Sequence, residues 1–333
     1  MSESILVAQI APQRSTQYTQ LATTLAPFEI QLSGLRPYLQ DVQPIELGGQ
    51  TYLKLRLTTE LDESLRYELG TLAMTSAYFL YHEALGGHPV PVLEPIATQF
   101  RPVISPDLAL TRRYRGKTNE LFTHFLCNLA RFSSDFAEKQ WDDLRLLDPL
   151  AGGGTTLLTA LSLGADVVGV ERTAQDVTTT IAFLRDYMRS EGISCKIKEE
   201  RLKKLGQRWW CTINAAGTQE LVFANGDTTQ TDQLISGFKK PHLIVADLPY
   251  GIQHRAAVEE LLHSALPVWE RVLTQGGALV FAWDATRFPR AEMVELVEES
   301  ASLVVLNESP YSQLEHRVDR VIKRRDVIVA KHG

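Results

Sequence analysis

Residues 145–171 read Arg-Leu-Leu-Asp-Pro-Leu-Ala-Gly-Gly-Gly-Thr-Thr-Leu-Leu-Thr-Ala-Leu-Ser-Leu-Gly-Ala-Asp-Val-Val-Gly-Val-Glu, and this stretch decides the fold. An apolar run ends at Asp148, three glycines follow, an apolar helix pattern starts at Thr155, and a second short apolar run ends in Glu171. The pattern is strand, glycine turn, helix, strand. In such a unit the glycines let the backbone approach a ligand at the carboxyl end of the first strand, and the acid closing the second strand can accept hydrogen bonds from ribose hydroxyls. The dinucleotide fingerprint G-x-G-x-x-G is absent, because Gly152, Gly153 and Gly154 run straight into Thr155 and Thr156. No P-loop lysine follows the turn either. What remains is a nucleoside-type ligand without a phosphate cradle.

Asp148-Pro149-Leu150-Ala151-Gly152-Gly153-Gly154-Thr155 resembles the first motif of the class I S-adenosylmethionine-dependent methyltransferases. The resemblance implies a doubly wound α/β domain with a seven-stranded Rossmann-like sheet, and S-adenosyl-L-methionine as cofactor. It places Asp148, Pro149, Ala151, Gly152, Gly154 and Thr155 around that cofactor and Glu171 at its ribose. Leu221-Val222-Phe223-Ala224-Asn225-Gly226-Asp227 reads as a further strand leading into an acid, and the family's adenine contact would fall on Asp227. The segment Tyr114-Arg115-Gly116-Lys117-Thr118-Asn119 precedes a helix expected over 121–132, with Thr118 or Asn119 able to cap it. By the same resemblance Tyr114 and Thr118 are candidates to close over the methionine end of the cofactor; a plain linker with a capped helix is the alternative.

Composition is that of a soluble globular protein, and no apolar run approaches the length of a membrane span, so a cytoplasmic enzyme is expected. Cys127, Cys195 and Cys211 form no C-x-x-C pair, which indicates neither a disulfide framework nor a zinc site. A net charge of -6 argues against a protein that coats nucleic acid nonspecifically. Local patches remain possible at residues 112–117, 196–208 and 317–325, where Lys and Arg cluster.

Residues 1–100 read as a smaller α+β domain that could bind substrate, with an alternating strand at Gln50–Leu57, helical spacing from Leu61 to Leu85 and a Gly/Pro linker beyond it. The catalytic domain would span 101–333. Within it, 192–219 looks like an insertion, with a basic helical stretch over 196–205 and Trp209-Trp210 in a hairpin with the following strand. Helices are expected over 174–189, 256–273 and 289–300, and strands over 278–283, 303–307 and 326–331.

The strand His242-Leu243-Ile244-Val245-Ala246-Asp247-Leu248-Pro249-Tyr250-Gly251 carries the chemistry. Its end resembles the (Asp/Asn)-Pro-Pro-(Tyr/Phe) motif of enzymes that methylate the exocyclic amine of a base, with Leu248 in place of the first proline. A ring-conjugated amine is a weak nucleophile. Hydrogen bonds from its protons to the Asp247 carboxylate and the Leu248 carbonyl would favour a tetrahedral nitrogen whose lone pair attacks the methyl group. Pro249 would hold the turn, and Tyr250 would stack on a flipped base. Gly after the aromatic residue, the Arg101-Pro102 lead-in and the separate amino-terminal domain resemble RNA enzymes that methylate the amine of guanine in transfer or ribosomal RNA. Those often carry a THUMP domain, of which residues 1–100 show no features. A DNA adenine or cytosine amino-methyltransferase is the runner-up, and an inactive binding protein of the same fold is a further alternative. The partner expected is a nucleic acid, RNA ahead of DNA.

Overall fold

The computed structural model describes residues 3–12, 19–84, 86–87, 91–249, 255–318 and 324–333. The chain forms two compact units, Met1–Arg101 with His316–Lys323, and Pro102–Glu315 with Arg324–Gly333.

The smaller unit runs β1 (Ser4–Ile10), α1 (Thr19–Leu32), β2 (Leu39–Leu47), β3 (Gln50–Leu57), α2 (Glu63–Thr71), β4 (Thr75–His82) and β5 (Val92–Ile96). Its strands form an antiparallel sheet in the order β2-β3-β1-β4-β5. β3 alternates as its sequence predicts, with Leu53, Leu55 and Leu57 buried. The helix expected to reach Leu85 stops at Thr71. Asp62 starts it by accepting from Leu65 N at 2.8 Å, and the buried Glu29 carboxylate ends it by accepting from Ala73 N and Met74 N at 2.9 and 2.8 Å. Those bonds turn the chain into the aromatic strand β4. The expected Gly/Pro linker includes β5, which tolerates Pro95 because it lies at the sheet edge.

The larger unit runs α3 (Asp107–Thr111), α4 (Glu120–Ser133), β6 (Arg145–Asp148), α5 (Thr155–Leu163), β7 (Asp166–Glu171), α6 (Ala174–Ser190), β8 (Ser194–Leu202), β9 (Gly206–Asn214), β10 (Thr218–Asn225), α7 (Thr231–Leu234), β11 (Leu243–Asp247), α8 (Arg255–Val272), β12 (Ala278–Asp284), α9 (Arg290–Ser300), β13 (Leu303–Val305) and β14 (Arg325–His332). One sheet holds the order β13-β14-β12-β11-β6-β7-β10-β9-β8. The neighbours β12, β11, β6, β7 and β10 are parallel, and β14 is antiparallel to both β12 and β13. The sheet therefore has nine strands, seven in the expected winding plus β8 and β9.

Those two strands correct the helical expectation for 196–205. The stretch from Ser194 to Leu202 alternates between more and less exposed positions, broken once at Lys198–Glu199, and pairs with β9 from Ser194↔Asn214 to Leu202↔Gly206. One sheet face packs Leu147, Val168, Val222 and Ile244 against Leu262, Leu266 and Trp269 of α8. On the other face Gly169 admits α5, since a Cβ there would lie 2.5 Å from Leu157 Cδ1.

Candidate active site

Parallel strands bring their carboxyl ends to one edge, so β6, β7 and β11 deliver Asp148, Glu171 and Asp247 there. Asp148 is 2% exposed, and its Oδ1 accepts from Leu150 N at 3.0 Å. Burial pushes its carboxyl up to about 7 despite that bond and one from Thr156, and the nearby charges of Asp247 and Glu171 add to the rise.

The glycine turn follows. Gly152 and Gly154 take φ of +50° and +85°, which glycine adopts without the penalty a Cβ brings. Beside Gly152 there is open space, whereas a Cβ at Gly153 would lie 2.6 Å from the Tyr114 ring. Tyr114 lies on the turn, its hydroxyl 2.5 Å from Thr155 Oγ1, and burial pushes its phenol up. Arg112 braces it, with the guanidinium 5.5 Å from the Tyr114 ring and Nη2 donating to Thr179 and Thr180 at 2.9 and 3.2 Å.

Glu171 ties the turn to β7. Its Oε2 accepts from Gly152 N at 2.9 Å and its Oε1 from Thr173 N at 2.7 Å. A carboxylate has about four acceptor sites, so capacity remains for hydroxyl donors. Asp227 lies two residues past β10, exposed. Its Oδ1 accepts from Thr229 N and Oγ1 at 2.9 and 2.6 Å, which hold its carboxyl below the usual range.

Asp247 meets a different set. Thr118, just ahead of α4, donates to its Oδ2 at 2.7 Å, and Arg325 Nη2 of β14 lies 3.9 Å from the same oxygen. The helix cap falls to Asn119, which accepts from Phe122 N at 3.0 Å. Thr118 thus stands at the end of β11, while Tyr114 stands at the glycine turn. Leu248 is buried and donates its N–H to Ala282 O at 2.9 Å; Pro249 is exposed, and Tyr250 lies outside the described residues. Pro149, Ala151 and Thr155 are buried under the turn.

Three further residues shape this edge without a sequence signal. Arg112 and Arg325 read as parts of basic clusters, yet Arg112 is half-buried and Arg325 is 5% exposed. Asn225 donates to Glu171 O and Arg172 O at 3.0 and 2.9 Å, joining the ends of β10 and β7. Among the described residues no group of His, Cys, Asp and Glu could hold a metal, and no helix is long and apolar enough to cross a membrane.

Residues 127–303, just over half of the chain, match the family model for the UPF0020, RMKL-like, methyltransferase domain. The chain belongs to this family. No curated protein matches it. Among solved structures, TrmN from Thermus thermophilus is 13% identical with full coverage of both chains and a TM-score of 0.45. TehB from Haemophilus influenzae is 14% identical over 57% of this chain and 58% of that one, with a TM-score of 0.35. The chain thus spans less than two thirds of TehB. SMU.1697c from Streptococcus mutans, solved with SAH, is 11% identical over 57% of this chain and 89% of that one, with a TM-score of 0.37.

Membership of this methyltransferase-domain family implies S-adenosyl-L-methionine as the cofactor. Its own edge fits that molecule. Space is open beside Gly152, Glu171 retains acceptor capacity, and Asp148 supplies a buried acid for a positively charged ligand.

Proposed function

We propose that this methyltransferase transfers a methyl group to the exocyclic amine of a nucleobase, foremost guanine in transfer or ribosomal RNA. The observation that carries the reading is a half-buried carboxylate, Asp247, at the end of β11 and near enough to Asp148 for their charges to interact. Asp148, Pro149, Ala151, Gly152, Gly154 and Thr155 would hold the cofactor with Glu171 at its ribose, Asp227 at its adenine and Tyr114 over the turn. S-adenosylmethionine supplies an electrophilic methyl group on a sulfonium sulfur.

Asp247 and the Leu248 carbonyl accept the two N–H groups of the substrate amine, which turns its lone pair out of conjugation and toward the methyl group. The Leu248 N–H bond to Ala282 O fixes the peptide that presents this carbonyl. Thr118 orients the carboxylate from its other side. Pro249 shapes the turn and Tyr250 stacks on the base. Alignment and fixed acceptors in a dry site provide the rate.

Asp247→Ala should lower kcat about a hundredfold or more while leaving cofactor affinity largely intact; full activity would sink the mechanism. Labelled methyl transfer to total RNA and to genomic DNA, both from a strain lacking the protein, tests the acceptor. Methylguanosine from RNA is the expected product. Label in DNA alone would overturn the RNA reading, and label in neither would leave a protein acceptor or an inactive binding protein.

A further inference from the structure

We infer that Arg325 is a positioning residue for Asp247, reaching it across the sheet from the last strand; this rests on Asp247 being the amine acceptor proposed above. Register explains the reach. Asp247 pairs with Ala282 on β12, and Ala282 pairs with Val327 on β14, so Asp247, Ala282, Val327 and, two residues on, Arg325 point to one sheet face. Arg325 itself lies opposite Asp284 on β12, so it reaches Asp247 on the diagonal past Ala282, whose single methyl takes little room.

Arg325 is 5% exposed and its guanidinium lies 4.8 Å from the Phe122 ring of α4. An arginine is seldom buried this deeply without a counter-charge, because its desolvation is costly. The carboxylates nearest in sequence and register are turned elsewhere. Asp326 pairs with Arg290 at 3.1 Å, and Asp284 accepts from Thr286 N at 3.0 Å and faces Arg287 at 3.6 Å. Arg325 pairs with Asp247.

The distance matters as much as the partner. At 3.9 Å the cation attracts the carboxylate without a hydrogen bond to it, whereas Thr118 makes one at 2.7 Å. A bidentate arginine fork would use both oxygens. The looser pairing holds the carboxylate's place without a hydrogen bond from the guanidinium to that oxygen.

The test compares Arg325→Met with Arg325→Lys by labelled methyl transfer to the RNA substrate, alongside calorimetric binding of S-adenosylmethionine and thermal melting. Arg325→Met should lower kcat about tenfold to a hundredfold, with cofactor affinity and KM within about twofold of wild type. Arg325→Lys, which keeps the cation, should recover most of the loss. Should the Met variant not fold, Arg325→Gln, shorter than arginine but still a hydrogen-bond donor, should show the same fall in kcat. Unchanged kcat in the folded Met or Gln variant, or a Lys variant no better than Met, would overturn the inference. If Asp247→Ala itself kept full activity, the underlying mechanism would fail first, so the two failures are distinguishable.

Discussion

Asp148 shows how one residue carries both the legible and the illegible part of this site. Its place before the glycine turn was readable from the spacing; its ionisation was not, because burial and the charges of Asp247 and Glu171 depend on chain brought in from far away. Its carboxyl rises from 3.8 to about 7, so the folded protein holds this proton more tightly than the unfolded chain does. The resulting stabilisation is fully present below the unfolded value and is lost as pH rises through about 7. At 1.36 kcal/mol per pKa unit the span is on the order of 4 kcal/mol, already net of the opposing Leu150 and Thr156 bonds. Asp148→Asn should therefore melt higher than wild type at pH 8, and the gap should narrow toward pH 5; urea unfolding at both pH values checks this. Equal shifts at both would mean that the carboxyl titrates near its ordinary value. Gly153 teaches a related lesson. The three glycines suggest a ligand cradle, but the middle one makes room for Tyr114, thirty-nine positions earlier in the chain, and no local pattern reveals that.

At the scale of elements, periodicity located most helices and strands of the larger unit to within a few residues. It failed where two periods compete. The stretch 196–205 carries Lys and Glu, which favour helix, yet it alternates in exposure and finds its partner in β9. A different cause ended α2 early, where the Glu29 carboxylate captured two backbone N–H groups from outside the local sequence. The hairpin of β8 and β9 bears on the site through Gly206. Its φ is +151°, and a Cβ there would lie 2.1 Å from Asn225 O, just before Gly226 and Asp227. Gly206→Ala should force the end of β10 away from β9, costing roughly 1–3 kcal/mol in stability and weakening cofactor binding through Asp227. Calorimetry with S-adenosylmethionine checks the second effect. Unchanged affinity in a destabilised variant would confine Gly206 to a structural role and remove Asp227 from the cofactor contacts.

Over the whole molecule, the question is how a chain of net charge -6 would hold the polyanion proposed as its substrate. Three basic clusters in the sequence suggest a phosphate-binding face, but side chains from each are engaged within the protein. Arg112 binds Thr179 and Thr180, and Lys117 pairs with Glu120 and donates to Ala109 O. Lys198 and Arg208 share Glu200, Arg324 faces Glu315, and Arg325 is buried against Asp247. Cations already satisfied release few counterions on binding RNA, so contacts to bases and backbone shape should carry more of the affinity than charge does. About three phosphate contacts to a single strand would weaken binding about twentyfold between 50 and 200 mM salt, against about a thousandfold or more for six to ten contacts to duplex DNA. The expected result is the shallow dependence, measured as the apparent Kd for the RNA substrate across that salt range. A steep one would mean that the engaged arginines and lysines exchange their protein partners for phosphates on binding, and charge-reversal at Lys198 or Lys117 would then show which cluster does so.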